Sequence, residues 1–219
     1  QIRHSGLRAK NLVTQILTFS RKTKEEKQNI QISLIVSEAL NMLRSTIPAT
    51  INIEEKIQTQ ERAFADPTQI HQVVMNLCTN AYHSMRETGG NLTVILHEME
   101  LTEKEYPASD MRPGRYIKLT VSDTGKGIAP SIREKIFDPY FTTKESGEGT
   151  GLGLAVVHGI VKGHNGHISL ESEPEQGTTF HVYLPVIEPK DDESDVFNQK
   201  KPAVGGTERV MVVDDEESI

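Results

Sequence analysis

The chain has 219 residues, and with 36% of them hydrophobic and 25% charged it has the balance expected of a soluble globular protein. Its 31 acidic residues outweigh 24 basic ones, and the resulting charge of −7 argues against a general nucleic-acid surface while leaving room for a local anion pocket. The single cysteine, Cys78, excludes an internal disulfide and a cysteine zinc cluster.

Residues 2–22 are predicted to form a helix, because Ala9, Leu12, Val13, Ile16 and Leu17 recur at helical spacing and make one apolar stripe. Nothing earlier in the chain could cover that stripe, so its partner is expected beyond this chain or in another one. The charged run TKEEKQN follows as a linker, then a second helix over 34–46 with Val36, Ala39, Leu40 and Leu43 in phase, ended by Pro48. Alternation predicts short strands near 50–57 and 62–65. The sequence Asp66-Pro67-Thr68-Gln69 offers an N-cap, a proline at the first helical position and a capping-box partner, so a helix is expected over 66–87. Its core stripe is Ile70, Val73, Val74, Leu77, Ala81 and Met85, and Gly89-Gly90 ends it.

Strands at 91–99 and 115–123, a short helix near 130–136, a helix at about 150–163 and strands at 167–172 and 178–184 complete the order. That order is not a strict βαβ alternation. It predicts an α+β, two-layer sandwich, with helices on one face of a mixed, largely antiparallel sheet and a long helix in front. His164 and His167 sit beside Gly163 and Gly166 and read as turn residues in preference to metal ligands. No run approaches the length of a membrane span and no signal peptide opens the chain, so a cytoplasmic location is expected. The start at Gln1-Ile2-Arg3, without methionine, suggests a piece of a longer protein.

Polar residues gather at one border of this sandwich. Asn76 and Asn80 stand one turn apart on the flank of their helix's apolar stripe, with His83 beside them, forming either a solvated shoulder or one wall of a site. Period two places Asp123 on the same face as Ile117, Leu119 and Val121, and Thr178 on the face of Phe180, Val182 and Leu184. A carboxylate so placed needs donors, supplied by the turn amides of Thr124 and Gly125 or by a ligand amine. Glycines 147, 149, 151 and 153 precede an apolar helix and can bring backbone N–H groups close to phosphate. They match neither G-x-G-x-x-G nor the P-loop, whose lysine must be followed by Ser or Thr.

Four ordered motifs resemble the N, G1, F and G2 boxes of sensor histidine kinases. They are Asn76-Leu-Cys-Thr-Asn80-Ala81, Asp123-Thr-Gly125-Lys-Gly127-Ile128, Phe137-Asp-Pro-Tyr-Phe141-Thr-Thr-Lys144 and Gly149-Thr-Gly151-Leu-Gly153-Leu, and the closing Gly177-Thr178-Thr-Phe180 also fits. The resemblance covers roughly residues 30–187 and implies the sandwich of the GHKL group of ATP-binding domains. It implies ATP or ADP with Mg²⁺, with Asn80 as the metal ligand. Asp123 would accept from the adenine amine, with Thr178 supporting it through water. Gly125 and Gly127 would let the chain pass the base, and residues 138–149 would form an ATP lid with Lys144 on a phosphate. Gly149, Gly151 and Gly153 would offer N–H groups to the triphosphate. His83, Ile128, Phe137, Phe141, Thr150 and Leu152 complete the expected nucleotide-binding set.

ATP hydrolases of the GHKL group carry a glutamate four residues before the magnesium asparagine, where it activates water. Here Asn76 holds that position and cannot take a proton, which favours transfer to a protein acceptor over hydrolysis, and the intact boxes argue against a nucleotide-gated scaffold. Asn76 and Lys144 are the candidates for a catalytic role. Residues 1–24 resemble the end of the second helix of a dimerisation hairpin, 25–29 a linker, 30–187 the catalytic ATP-binding domain, 188–207 a second linker, and 208–219 the start of a receiver domain. The expected partners are the protein's own dimerisation helices in a homodimer, an acceptor histidine outside this chain, a receiver in cis and a response regulator in trans, with no nucleic acid. His4 is followed by Ser5-Gly6 in place of an acidic residue and lies in the wrong helix for the acceptor.

Overall fold

A computed structural model describes residues 26–102, 111–144 and 149–187. The expected helix over 2–22, His4, residues 145–148 of the expected lid, and the segments expected as a second linker and receiver start lie outside the described residues.

Strand β1 (Gln28–Gln31) leads into α1 (Ile32–Arg44), followed by β2 (Ile51–Ile57), β3 (Arg62–Ala65) and α2 (Pro67–Met85). Then come β4 (Gly90–Leu101), β5 (Gly114–Asp123), a 3₁₀ turn (Pro130–Ile132), α3 (Gly153–Gly163), β6 (His167–Glu173) and β7 (Gly177–Pro185). The main sheet has the order β2-β4-β5-β7-β6; β2 and β4 run parallel and every other neighbouring pair is antiparallel. Its inner face, carrying Leu92, Val94, Leu96, Ile117, Leu119, Val121, Phe180 and Val182, is buried with the apolar stripes of the three helices in one core. The chain therefore adopts an α+β sandwich, with a mixed sheet and helices packed on it.

Helix α2 forms because its first turn is satisfied locally. The Asp66 carboxylate accepts from Thr68 N at 2.9 Å and Gln69 N at 3.3 Å, and Pro67 has no N–H to leave unpaired. Its buried residues Ile70, Val73, Val74, Leu77, Cys78, Ala81 and Met85 are the predicted stripe with Cys78 added, and burial pushes that thiol up to about 12.

Among the boundaries that differ from expectation, three have a clear physical cause. The linker expected over 25–29 is partly strand: Gln28 and Asn29 pair antiparallel with Ala65 and Phe64 in a separate two-stranded sheet. That pairing uses backbone groups, which a polar composition does not reveal. The expected helix at 130–136 is only a 3₁₀ turn, with Ile132 N and Lys135 N donating three residues back, because so short a segment cannot repay helix nucleation. Helix α3 starts at Gly153 and not near 150, since Gly151 sits at φ +65, outside helical geometry.

His164 caps α3 and ties its end to the start of α2. Its Nδ1 lies 2.8 Å from Ile160 O, and its Nε2 accepts from Asp66 N at 3.0 Å. The turn reading therefore holds for His164, with a structural task added, whereas His167 opens β6 and pairs with Tyr183. Gly159 is on the exposed side of α3, and a Cβ added there would meet nothing within 4 Å. Gly159→Ala is expected to stabilise the chain by about 0.5–1 kcal/mol by reducing the entropy lost in the helix; chemical denaturation measures it, and a lowered midpoint would contradict the placement.

Candidate nucleotide site

A cavity of about 940 Å³ lies between α2, the loop after β5, the segment before α3 and the edge of the sheet. That volume is in the range of small-molecule sites. Helix α2 runs along it like a ruler. Near its middle, Asn76 Nδ2 donates to Gly153 O at 3.4 Å; eight residues on, Ser84 Oγ lies 2.9 Å from Asp123 Oδ1. At 1.5 Å per residue these two ends are about 12 Å apart along the axis, with Asn80 between them.

At the Ser84 end, Asp123 is 7% exposed and belongs to a row across four strands, Leu92–Asp123–Thr178–Ser172. Gly125 N donates to Asp123 Oδ1 at 2.8 Å, so the local turn does supply a donor. Burial nonetheless raises the carboxyl above the usual range, against the opposing pull of Gly125 N–H, the Ser84 hydroxyl and the Thr178 backbone. A buried carboxylate held this way has acceptor capacity for a ligand donor. Lys126 Nζ pairs with Glu87 Oε2 at 2.6 Å across the rim, an exposed contact that joins the end of α2 to the loop after β5.

At the other end the start of α3 faces the cavity. Leu152 is its N-cap residue and makes no side-chain cap, so its own side chain does not take up the N–H groups of the first turn. These groups and the helix dipole favour an anion there. Gly151 supplies the approach: a Cβ at this position would lie 2.3 Å from Tyr140 C, and Tyr140 N donates to Gly151 O at 3.0 Å. Lys144, Gly149 and Thr150 line the same wall.

Of the residues singled out from the sequence, Asn76, Asn80, His83, Asp123, Gly127, Ile128, Phe141, Lys144, Gly149, Thr150, Gly151, Gly153 and Thr178 line the cavity. Gly125, Phe137 and Leu152 do not. Gly125 lies against α2, where a Cβ would come 2.2 Å from Ser84 Oγ; Phe137 tilts against His158 with centroids 5.5 Å apart; Leu152 is 7% exposed beneath the loop. Sequence reasoning missed Ser84, Ile136 and Phe180 on the cavity wall, and Ser172 behind it. Ser84 was findable, being one turn beyond Asn80 on the same flank of α2. Ser172 was not, because only strand register brings it to Thr178.

Residues 65–188 match the family described as histidine kinase-, DNA gyrase B- and HSP90-like ATPase. The chain belongs to this ATPase family. The sensor kinase CckA of Brucella abortus is 34% identical over the whole of this chain, which spans 24% of that protein. The sensor histidine kinase ZraS of Salmonella typhimurium is 34% identical over 84% of this chain, which spans 37% of it. The chain thus covers between about a quarter and two fifths of the length of these curated relatives. Among solved structures, the catalytic domain of histidine kinase ThkA superposes with a TM-score of 0.57 at 28% identity, covering 73% of this chain and 95% of that one. The ATPase-family fold accounts for the layer order, and the cavity lies where the four motifs converge.

Proposed function

We propose that this chain is the ATP-binding catalytic part of a sensor histidine kinase. It would bind Mg-ATP and present the γ-phosphoryl to a histidine on a dimerisation helix outside the chain, for relay to a receiver aspartate. The observation that carries the reading is one cavity with chemically opposite ends. Asp123 and Thr178 offer acceptors to a base amine, and the uncapped start of α3 offers donors to phosphate about 12 Å away along α2.

Asn80, half-buried between the two ends, has a neutral amide oxygen suited to Mg²⁺. Among the described residues no group of three or more His, Cys, Asp or Glu could hold a metal, so a cation here would draw its other ligands from phosphate and water, as Mg²⁺ commonly does. When bound, Mg²⁺ supplies charge neutralisation to the phosphates. The chain's own share is positioning: Asn76 holds the start of α3 against α2, α3 N–H groups orient the phosphates, and Lys144 adds a positive charge on that wall.

Transfer is favoured over hydrolysis by the carboxylates of the site. Among the described lining residues only Asp123 and Glu87 are acidic; the first is at the base end and the second is paired with Lys126. Neither stands beside Asn80 to activate water, and Asn76 cannot take a proton. The parent protein in this reading is a hybrid kinase, a homodimer whose residues 208–219 open a receiver domain; no helix among the described residues is long and apolar enough to cross a membrane.

The test is incubation with γ-labelled ATP of this chain and of one extended upstream through a full hairpin. The expected result is nucleotide binding by both and acid-labile label on the longer chain alone. Label on the short chain that disappears in His4→Gln, or steady phosphate release by the short chain, would refute the transfer reading.

A further inference from the structure

Ser172 is 7% exposed and sits behind Thr178, itself 5% exposed, at the base end of the cavity. Three short contacts converge on its hydroxyl. Ile128 N donates to Ser172 Oγ at 2.8 Å, Ser172 Oγ lies 2.9 Å from Gly177 O, and Ser172 Oγ lies 2.9 Å from Thr178 Oγ1. Three hydrogens are available for these three contacts: one amide and two hydroxyl. The Ile128 amide can serve only the first. Gly177 O can only accept, so the second contact takes the Ser172 proton. The third is then filled only by the Thr178 proton. Any other arrangement leaves two buried oxygens 2.9 Å apart with no hydrogen between them.

We propose that Ser172 is a positioning residue that fixes the polarity of Thr178. With its proton directed back to Ser172, Thr178 Oγ1 presents only lone pairs to a ligand. Asp123, its cross-strand neighbour, presents a carboxylate. The base end is therefore a two-acceptor site for the amino group of a 6-amino purine, and it rejects a 6-oxo purine, whose exocyclic oxygen would meet lone pairs there. This inference rests on reading the cavity as a purine nucleotide site.

In Ser172→Ala the Thr178 hydroxyl loses its acceptor and becomes free to point its hydrogen at the ligand. The experiment is calorimetric titration of this chain with Mg-ATP and with Mg-inosine triphosphate, in the unaltered form, Ser172→Ala and Thr178→Val. The preference for ATP is expected to fall roughly five- to tenfold in Ser172→Ala, about the value of one hydrogen bond. Thr178→Val, which removes the acceptor without changing shape much, is expected to lower ATP affinity more than inosine triphosphate affinity. It decides the matter if Ser172→Ala does not fold. An unchanged preference in the folded variants, or a rise in Thr178→Val, overturns the inference while leaving the nucleotide site intact. If the unaltered chain binds neither nucleotide, the site reading falls and the inference with it.

Discussion

Asp123→Asn is expected to lower ATP and ADP affinity roughly 10- to 100-fold without lowering the melting temperature. The first effect follows from exchanging a charged acceptor for an amide, since hydrogen bonds to charged groups contribute about 1.5–3 kcal/mol. The second follows from the direction of the pKa shift. Burial, the largest influence, raises the Asp123 carboxyl in the folded chain. The folded state then binds this proton more tightly than the unfolded chain does. The group stabilises the fold below its unfolded pKa, and that contribution is lost as pH rises through the folded value. At neutral pH the buried carboxylate is a net cost, and asparagine removes the charge while keeping an oxygen for Gly125 N–H and the Ser84 hydroxyl. In the unaltered chain, nucleotide affinity should weaken on acidification already above the usual carboxylate range, and Asp123→Asn should lack that dependence. Calorimetry across pH, with thermal melts alongside, checks both effects. Equal affinities in the two proteins, or parallel pH profiles, would remove Asp123 from the binding site.

Gly127→Ala should be the most damaging single-methyl change in the loop after β5. Gly127 is at φ +65, where a side chain is already strained, and its Cβ would lie 2.0 Å from Glu173 O and 2.8 Å from Glu173 C. Those are backbone atoms of the β6 end, which cannot rotate away as a side chain could. A loss of roughly 3 kcal/mol is expected, from left-handed strain plus displacement of the loop. For a domain of this size that is a fall in Tm of about 6–12 °C. Because Ile128 N–H anchors the adjacent residue to Ser172, nucleotide affinity should fall as well. A melting temperature matching that of the unaltered chain would mean that the loop adopts another path.

The elements and most of the residues that line the cavity were both legible along the chain, for separable reasons. Helix α2 announces itself in Asp66-Pro67-Thr68-Gln69 and a 3.6-residue stripe, signals that need no tertiary partner. Period two put Asp123 and Thr178 on the inner face of their strands, and the described strands keep them there. Two of the departures fell where tertiary contacts decide. The β1 strand in the expected linker exists because β3 offers it backbone partners; the start of α3 is set by Gly151 turning against Tyr140.

The sequence by itself determined which residue types line the cavity, because periodicity and glycine chemistry act over a few neighbouring residues. Only the tertiary structure decided that Asn76 meets Gly153 and Ser84 meets Asp123, which turns α2 into a spacer about 12 Å long between two unlike ends. It alone decided that Ser172 stands behind Thr178, since that contact depends on the register of β6 against β7. Register depends on the packing of the whole inner face, and a one-residue slip of β6 would turn Ser172 to the opposite face of the sheet, away from Thr178.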